Sequence, residues 1–260
     1  MPELPDVEGF RRVLADNAVR KRIAAVEVPD RDLLRNASPQ ALGRALSGKR
    51  FGEPARHGKW LIAPAGEAHV LMHFGMTGSL EWEPRGPKHA HDRVAFVYRD
   101  AELRFRDMRK FGGVWLARDE EECRAVTGPL GPDALALGRE ELHELLGHRR
   151  GAIKAALMDQ SLVAGLGNLL VDEILWRARL DPHAPAGRLS PGRRDAIYDA
   201  MRETLRASIP TRRVPRASGW LTEVRDQGDA RCPRCGTRLR RGTVAGRSTR
   251  WCPRCQRAGR

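Results

Sequence analysis

Apolar residues recur at a helical period over 5–19, at Val7, Phe10, Val13, Leu14 and Ala18, and predict an amphipathic helix. From 21 to 118 the pattern changes. Short segments alternate or run β-branched: Ile23–Val28, Trp60–Ala63, His69–Phe74, Val94–Tyr98 and Val114–Ala117, separated by Gly and Pro. This spacing predicts an antiparallel sandwich or barrel. Residues 128–139 (GPLGPDALALGR) concentrate Gly and Pro and predict a linker. Beyond it the helical period returns over about 139–147, 151–162, 168–178 and 190–208. No repeat of solenoid period is visible.

Composition narrows the class. A chain of 260 residues fits one large domain or two modest ones. With 41% hydrophobic and 31% charged residues, a soluble globular protein is expected rather than a disordered one. No apolar run reaches the ~18 residues of a membrane span. The opening MPELPDVEGFRR carries acids and no apolar core, unlike a signal peptide, so a cytoplasmic protein with reduced thiols is expected. Charge adds more once it is located. The net charge is +14, and the 47 basic residues divide into 41 Arg and 6 Lys. Residues 206–260 hold 15 Arg, no Lys and 3 acids, so +12 lies there and +2 on the rest. That asymmetry reads as a polyanion-binding surface or as an Arg-rich solvated tail.

The same segment contains Cys232-Pro-Arg-Cys235 and Cys252-Pro-Arg-Cys255, with 16 residues between the pairs. Each Cys-x-x-Cys turn points two thiolates at one centre, and two turns complete the tetrahedron that zinc prefers. A redox dithiol pair is the alternative. A closed four-Cys site is structural, and its metal supplies folding energy to a small hairpin. Arg247, in Gly246-Arg247-Ser248-Thr249, falls at the expected hairpin tip, where a guanidinium could reach a phosphate. Cys123 is left over and reads as a lone packed thiol.

Pro2 follows Met1. Removal of Met1 would expose a secondary amine, and α-amino groups titrate near neutrality. Attack of such an amine on a sugar C1′ gives an iminium that acts as an electron sink for elimination, with Glu3 beside it as acid or base. Pro in the first turn of a helix is also routine, so both readings stand on these residues alone.

Five further stretches decide between them: MPELPDVEGFRR, RHGKWL at 56–61, HFGMTGSL at 73–80, DMRKFGG at 107–113 and LMDQSLVAGLGNLLVDEILWRARLDP at 157–182. With the paired CPRC motifs, ending in Gln256, they resemble the formamidopyrimidine-DNA glycosylase/endonuclease VIII family from end to end. The resemblance implies an α+β fold: an N-terminal helix plus antiparallel β-sandwich, then a helical helix–two-turn–helix domain ending in a four-Cys zinc-finger hairpin. The implied boundaries are 1–130, 131–230 and 231–260. It implies that Pro2 is the Schiff-base nucleophile, that Glu3 assists base loss, and that Lys59, on a strand between the first helix and the sheet, contacts phosphate and helps β-elimination. Arg247 would hold the phosphate beside the damaged nucleotide. Met76 and Phe111 would fill the gap left by an everted base, with Arg109 bonding the orphaned partner. His91, or His89, and Arg149 would contact the DNA backbone. Asn168 would cap the helix after Gly165-Leu166-Gly167 and bind phosphate. One structural Zn2+ on Cys232, Cys235, Cys252 and Cys255, duplex DNA with a damaged base or abasic site, and a monomer are also implied.

The expected activity is that of a bifunctional DNA glycosylase/AP lyase. A non-catalytic binder of distorted or abasic DNA is the rival reading. Three departures from the family pattern bear on it. Asp6 stands where Glu is usual, Met108 and Lys110 replace Pro and Arg, and residues 209–231 lack the Gly-Tyr-Phe and Val-Tyr-Gly-Arg run. In the formamidopyrimidine branch that stretch includes the loop that closes over an oxidised purine. The Pro-Glu-Leu-Pro start belongs to that same branch, so base preference stays open.

Overall fold

The computed structural model describes residues 1–258; residues 259–260, the end of the expected zinc-finger stretch, lie outside it. The chain forms two compact units, one of Met1–Pro2 with Asp6–Pro129 and one of Glu3–Pro5 with Leu130–Arg260.

In the first unit, α1 (Leu4–Asn17) is followed by β1 (Ala25–Glu27), α2 (Pro39–Leu46), β2 (Ala55–His57), β3 (Trp60–Ala65), β4 (Ala68–His73), β5 (Gly78–Pro84), β6 (Asp92–Val97), β7 (Ala101–Asp107), β8 (Gly113–Ala117) and α3 (Glu120–Thr127). The strands make two antiparallel sheets, ordered β1-β6-β7-β5 and β2-β3-β4-β8. Period-two burial explains how they pack. Leu61 and Ala63 of β3 and Val70 and Met72 of β4 share one core with Leu80, Val94, Phe96, Leu103 and Phe105 of the other sheet, so the sandwich is the observed choice. Val7 and Leu14 of α1 join that core, as the helical period requires.

Two helices, α2 and α3, go beyond the sequence expectation. Each begins at a polar cap: the Ser38 hydroxyl accepts from Ala41 N–H at 3.1 Å and the Asp119 carboxylate from Glu122 N–H at 2.9 Å. Cys123 packs beside Leu71 and Ala117, a buried thiol as expected.

The outer face of the β1-β6-β7-β5 sheet carries a buried ion cluster. Arg104, 2% exposed, donates to Glu102 and Glu83 at 2.8 Å each and faces Asp92 at 3.4 Å. It also donates to the Pro84, Gly86 and Pro87 carbonyls. One side chain thus fixes the 84–91 loop, which bears His89 and His91.

The second unit contains α4 (Arg139–Gly147), α5 (Ile153–Met158), α6 (Asn168–Arg177), α7 (Pro191–Thr211), α8 (Leu221–Val224), β9 (Arg240–Val244) and β10 (Arg247–Trp251). Three expectations need correction. The 128–139 stretch is packed and not a tether: Ala134 and Leu137 are buried with α6 and α7, and Asp133 pairs with Ala164. The helix expected over 151–162 stops at Met158, because the Asp159 side chain accepts from Ser161 N–H and Oγ and draws the backbone into a turn. The last helix runs past 208 to Thr211 with Pro210 inside it, ending at Arg212 in the left-handed region at φ 55°. No helix among the described residues is long and apolar enough to cross a membrane.

The Arg104 cluster yields a prediction for the first unit. Arg104→Leu would leave the buried Glu102 without its cation and Asp92 and Glu83 with Arg106 alone, and stability in urea unfolding should fall by about 3–5 kcal/mol. A loss below about 1 kcal/mol would show that the cluster is not what holds the loop.

Candidate active site

Pro2 is half-buried and lies two positions before Leu4, the first residue of α1. Glu3 is wholly buried. Its carboxylate accepts from Leu169 N–H at 2.8 Å and from Leu170 N–H at 3.0 Å. These are two of the free donors that open α6, and the helix dipole favours a negative charge there. Bonds from N–H to an ionised oxygen are short and strong, so the side chain is held from two directions. The Leu4 N–H adds a bond to the Gly165 carbonyl at 3.1 Å. Close approach explains the glycines. A Cβ on Gly167 would lie 2.3 Å from Glu3 Cδ, and one on Gly165, at φ +108°, would lie 2.6 Å from Leu4 Cδ1.

This arrangement corrects the role expected of Asn168 as a cap. Gly167 is the N-cap residue of α6 and makes no side-chain bond; Glu3, 165 positions earlier in the chain, supplies the capping oxygens. Asn168 Nδ2 instead donates to the Ser248 carbonyl at 3.0 Å, and its Oδ1 is buried with no partner among the described residues.

Ser248 follows Arg247 on β10. Lys154, also wholly buried, donates to the same carbonyl at 3.1 Å, to Thr249 Oγ1 at 2.9 Å and to Asp172 at 2.6 Å. Asp172 in turn accepts from Arg225 at 2.6 Å. Burial pulls the Lys154 pKa down, against the charge of Asp172. Helix α6 and its neighbours thereby set the position of the strand that presents Arg247. Arg247 itself is exposed and opens β10 just after the two-residue turn Ala245-Gly246, whose φ values are 47° and 72°. It therefore starts a strand beside the tip. Arg149 is half-buried and pairs with Asp159 at 3.0 Å.

Cys232, Cys235, Cys252 and Cys255 place four sulfur atoms within 4.8 Å of one another. The Cys232–Cys255 and Cys235–Cys252 separations are 3.9 and 3.6 Å. Tetrahedral zinc with bonds of about 2.3 Å sets sulfurs roughly 3.8 Å apart, so the cluster fits one Zn2+. Trp176 Nε1 donates to Cys232 Sγ at 3.3 Å, a contact outside the ligand set that ties α6 to the site.

In the sandwich unit, Lys59 lies in the two-residue turn Gly58-Lys59 between β2 and β3. The expectation of a strand position is corrected: Gly58 at φ 56° permits the tight reversal there. His73, at the end of β4, packs on Trp60 at 5.0 Å between ring centroids. Burial, with the Lys59 charge nearby, depresses its pKa to about 4. A neutral His73 is required by its bond, since Nδ1 accepts from Gly75 N–H at 3.2 Å. Met76 follows on this loop and is half-buried.

The 107–112 loop is organised by Asp107. This buried carboxylate accepts from Thr77 Oγ1 at 2.6 Å, Arg109 N–H at 3.2 Å and Gly112 N–H at 2.8 Å. Arg35 holds the other side through the Lys110 and Gly112 carbonyls. The loop leaves Phe111 56% exposed, with the Arg109 guanidinium 4.7 Å from its ring centroid. An apolar ring displayed by so many bonds is not a core residue. His91 Nδ1 lies 3.2 Å from Arg93, and His91 N–H donates to His89 Nδ1 at 3.1 Å. The structure thus brings Met76, Arg109 and Phe111 onto two loops joined by the Thr77–Asp107 bond, and bonds Asn168 to the carbonyl of Ser248, the residue after Arg247. His73, Asp107, Lys154 and Asp172 escaped the sequence reading, although three of them lie inside quoted motifs; for His73 and Lys154 a polar residue flanked by apolar ones was the available signal.

Three family models match this chain in order: a formamidopyrimidine-DNA glycosylase N-terminal domain over residues 1–114, a formamidopyrimidine-DNA glycosylase H2TH domain over 130–215, and a zinc finger found in FPG and IleRS over 231–258. The chain belongs to the formamidopyrimidine-DNA glycosylase family. It is 36% identical over 272 residues to the formamidopyrimidine-DNA glycosylase of Methylococcus capsulatus, covering 99% of this chain and 100% of that one. To the Streptomyces coelicolor glycosylase it is 35% identical over 286 residues, covering 100% and 99%. Among solved structures, the Lactococcus lactis glycosylase non-covalently bound to DNA containing an AP site superposes at TM-score 0.89 with 29% identity, covering 98% of this chain and 99% of that one. A variant of that glycosylase in complex with Fapy-dG DNA gives 0.88 and 29%, with the same coverage.

The His73 environment generates a pH prediction for this glycosylase. Between about pH 6.5 and 4 the imidazole is protonated only when unfolded, so stability rises with pH across that window. Stability should fall by about 3 kcal/mol as pH drops through it, and His73→Leu should flatten that slope. An unchanged slope in the variant would assign the acid sensitivity elsewhere.

Proposed function

We propose that this protein is a base-excision-repair DNA glycosylase and AP lyase whose nucleophile is the amine of Pro2 after removal of Met1. The observation that carries the reading is the placement of Glu3. A wholly buried carboxylate adjoining Pro2 is pinned by two N–H donors of α6, which is the preorganisation that acid–base work at a fixed point requires. The related L. lactis glycosylase has been solved with AP-site DNA, Fapy-dG DNA and DNA containing an oxidised pyrimidine; duplex DNA with a damaged base or abasic site is the substrate class carried over.

In this reading the Pro2 nitrogen attacks C1′ and the damaged base leaves with its bonding electrons. Glu3 moves a proton to or from the opening sugar. The resulting iminium accepts electrons as a C2′ proton is lost, which expels the 3′ phosphate. A second elimination expels the 5′ phosphate. Lys59 contacts phosphate and assists the first elimination. Arg247 holds the phosphate at the lesion. Phe111 and Met76 fill the vacated stack and Arg109 bonds the unpaired base. Asn168, Arg149 and His91 contact the backbone. Exposure of Phe111 and its bracing by Asp107 and Arg35 support the wedge role, because a side chain that enters a base stack must be presented in advance. The zinc holds the Arg247 hairpin and takes no part in bond breaking. We place the protein in the cytoplasm and divide it functionally at 1–130, 131–230 and 231–260.

Sodium borohydride should trap a covalent adduct between the Met1-trimmed protein and abasic duplex, and Pro2→Gly should lose it. Glu3→Gln should slow base release by roughly 10²–10⁴-fold while leaving nicking of preformed abasic sites less affected. Absence of an adduct, or of any nicking by purified protein, would leave only the rival reading of a non-catalytic binder.

A further inference from the structure

The sandwich unit carries a cavity that none of the residues above uses. It opens at the C-terminal end of α1, whose 14 residues separate it from Pro2 by ~20 Å at a rise of about 1.5 Å per residue. Its volume is about 570 Å³, and Arg20, Lys21, Arg22, Arg50, Trp82 and Tyr98 line it.

Backbone pairing gathers the cations. Arg22 and Arg50 form an antiparallel bridge. The Arg20 N–H donates to the Phe51 carbonyl at 3.0 Å, and Arg50 Nη1 donates to the Arg20 carbonyl at 2.6 Å. These four basic residues are exposed, and among the described residues no carboxylate lies within ion-pair distance of them; a fifth, Arg99, also lines the cavity. The acid on the rim, Asp100, faces Arg99 at 3.7 Å. Arg20 also holds φ at 63°, a left-handed conformation that residues other than Gly rarely adopt. Like charges collected without a counter-charge repel, and a bound anion relieves that repulsion.

The wall beside these cations is aromatic. Trp82, on β5, is half-buried, with Lys21 Nζ 4.7 Å from its ring centroid and the Tyr98 ring at 5.1 Å. The Tyr98 hydroxyl is buried and has no partner among the described residues. Guanidinium forks match phosphate oxygens, and an indole face accepts a stacked base.

We propose that this cavity binds a nucleotide, its phosphate held by Arg20, Arg22 and Arg50 and its base against Trp82. The Lys21 ammonium, on a flexible stem, exchanges the ring for the phosphate. The nucleotide is either free or one unit of a DNA strand lying outside the lesion contact.

The test follows the Trp82 indole N–H signal of the full-length protein by two-dimensional NMR, assigned with Trp82→Phe. The probes are dAMP, deoxyadenosine, inorganic phosphate and an undamaged single-stranded octanucleotide. Saturable movement of the signal is expected with dAMP or the octanucleotide, with deoxyadenosine and phosphate at least about tenfold weaker, a difference of roughly 1.4 kcal/mol. Tighter binding of dAMP assigns a free-nucleotide site, and tighter binding of the octanucleotide assigns a strand site. The exposed double variant Arg22→Glu/Arg50→Glu should lose at least about tenfold in affinity while nicking abasic duplex at the unchanged rate, so failure here is separable from failure of the glycosylase reading. A still Trp82 signal with both nucleotide probes, equal affinity for phosphate and dAMP, or full affinity in the double variant would overturn the proposal.

Discussion

The capping of α6 by Glu3 is the interaction on which most of the active-site architecture depends. One carboxylate satisfies two of the free N–H groups that begin the helix, and a helix that starts without such partners carries unsatisfied buried donors. The bond works in both directions. It fixes the residue next to Pro2, and it fixes the start of the helix whose next turns supply Asp172 and Trp176. Through Asp172 the helix holds Lys154 and so the Ser248–Thr249 backbone; through Trp176 it reaches the Cys232 thiolate. The zinc hairpin is therefore oriented at its base by four cysteines and along its length by buried polar contacts to α6.

A second constraint acts in the sandwich unit. Asp107 and Arg35 use backbone bonds to shape the 107–112 loop, and Thr77 links it to the loop that carries Met76. Exposing an apolar ring to water costs free energy, and the loop bonds that leave Phe111 no route to the core offset that cost. The neutral state of His73 fits the same logic. Beside the Lys59 charge and largely desolvated, an imidazolium would be strongly disfavoured, and the neutral ring serves as the acceptor that orders Gly75.

Much of this was legible in the amino-acid pattern. The period over 5–19, the short apolar runs of β3 and β4 and the Cys-x-x-Cys pairs each predict their element through local physics. The +12 on residues 206–260 could be located but not resolved into roles; the structure separates Arg225, buried on Asp172, from Arg247, exposed at the start of β10. The capping of α6 was misassigned to Asn168, because the local rule favours an Asn at that position while the true acceptor lies at the other end of the chain. Gly167 held the hint: a glycine N-cap has no side-chain oxygen, so the capping oxygens must come from elsewhere. The short α2 and α3 escaped because each is eight residues long, too brief for its period to stand out from neighbouring loops.

The central claim is that close packing of Glu3 against Gly167 fixes the end of the chain that we propose to be reactive. Gly167→Ala tests it most directly, since a Cβ there would meet Glu3 Cδ at 2.3 Å. The account predicts a stability loss of about 1–3 kcal/mol together with a large fall in borohydride trapping on abasic DNA, at zinc content equal to that of the parent protein. Trapping at the parent rate with unchanged stability would contradict it.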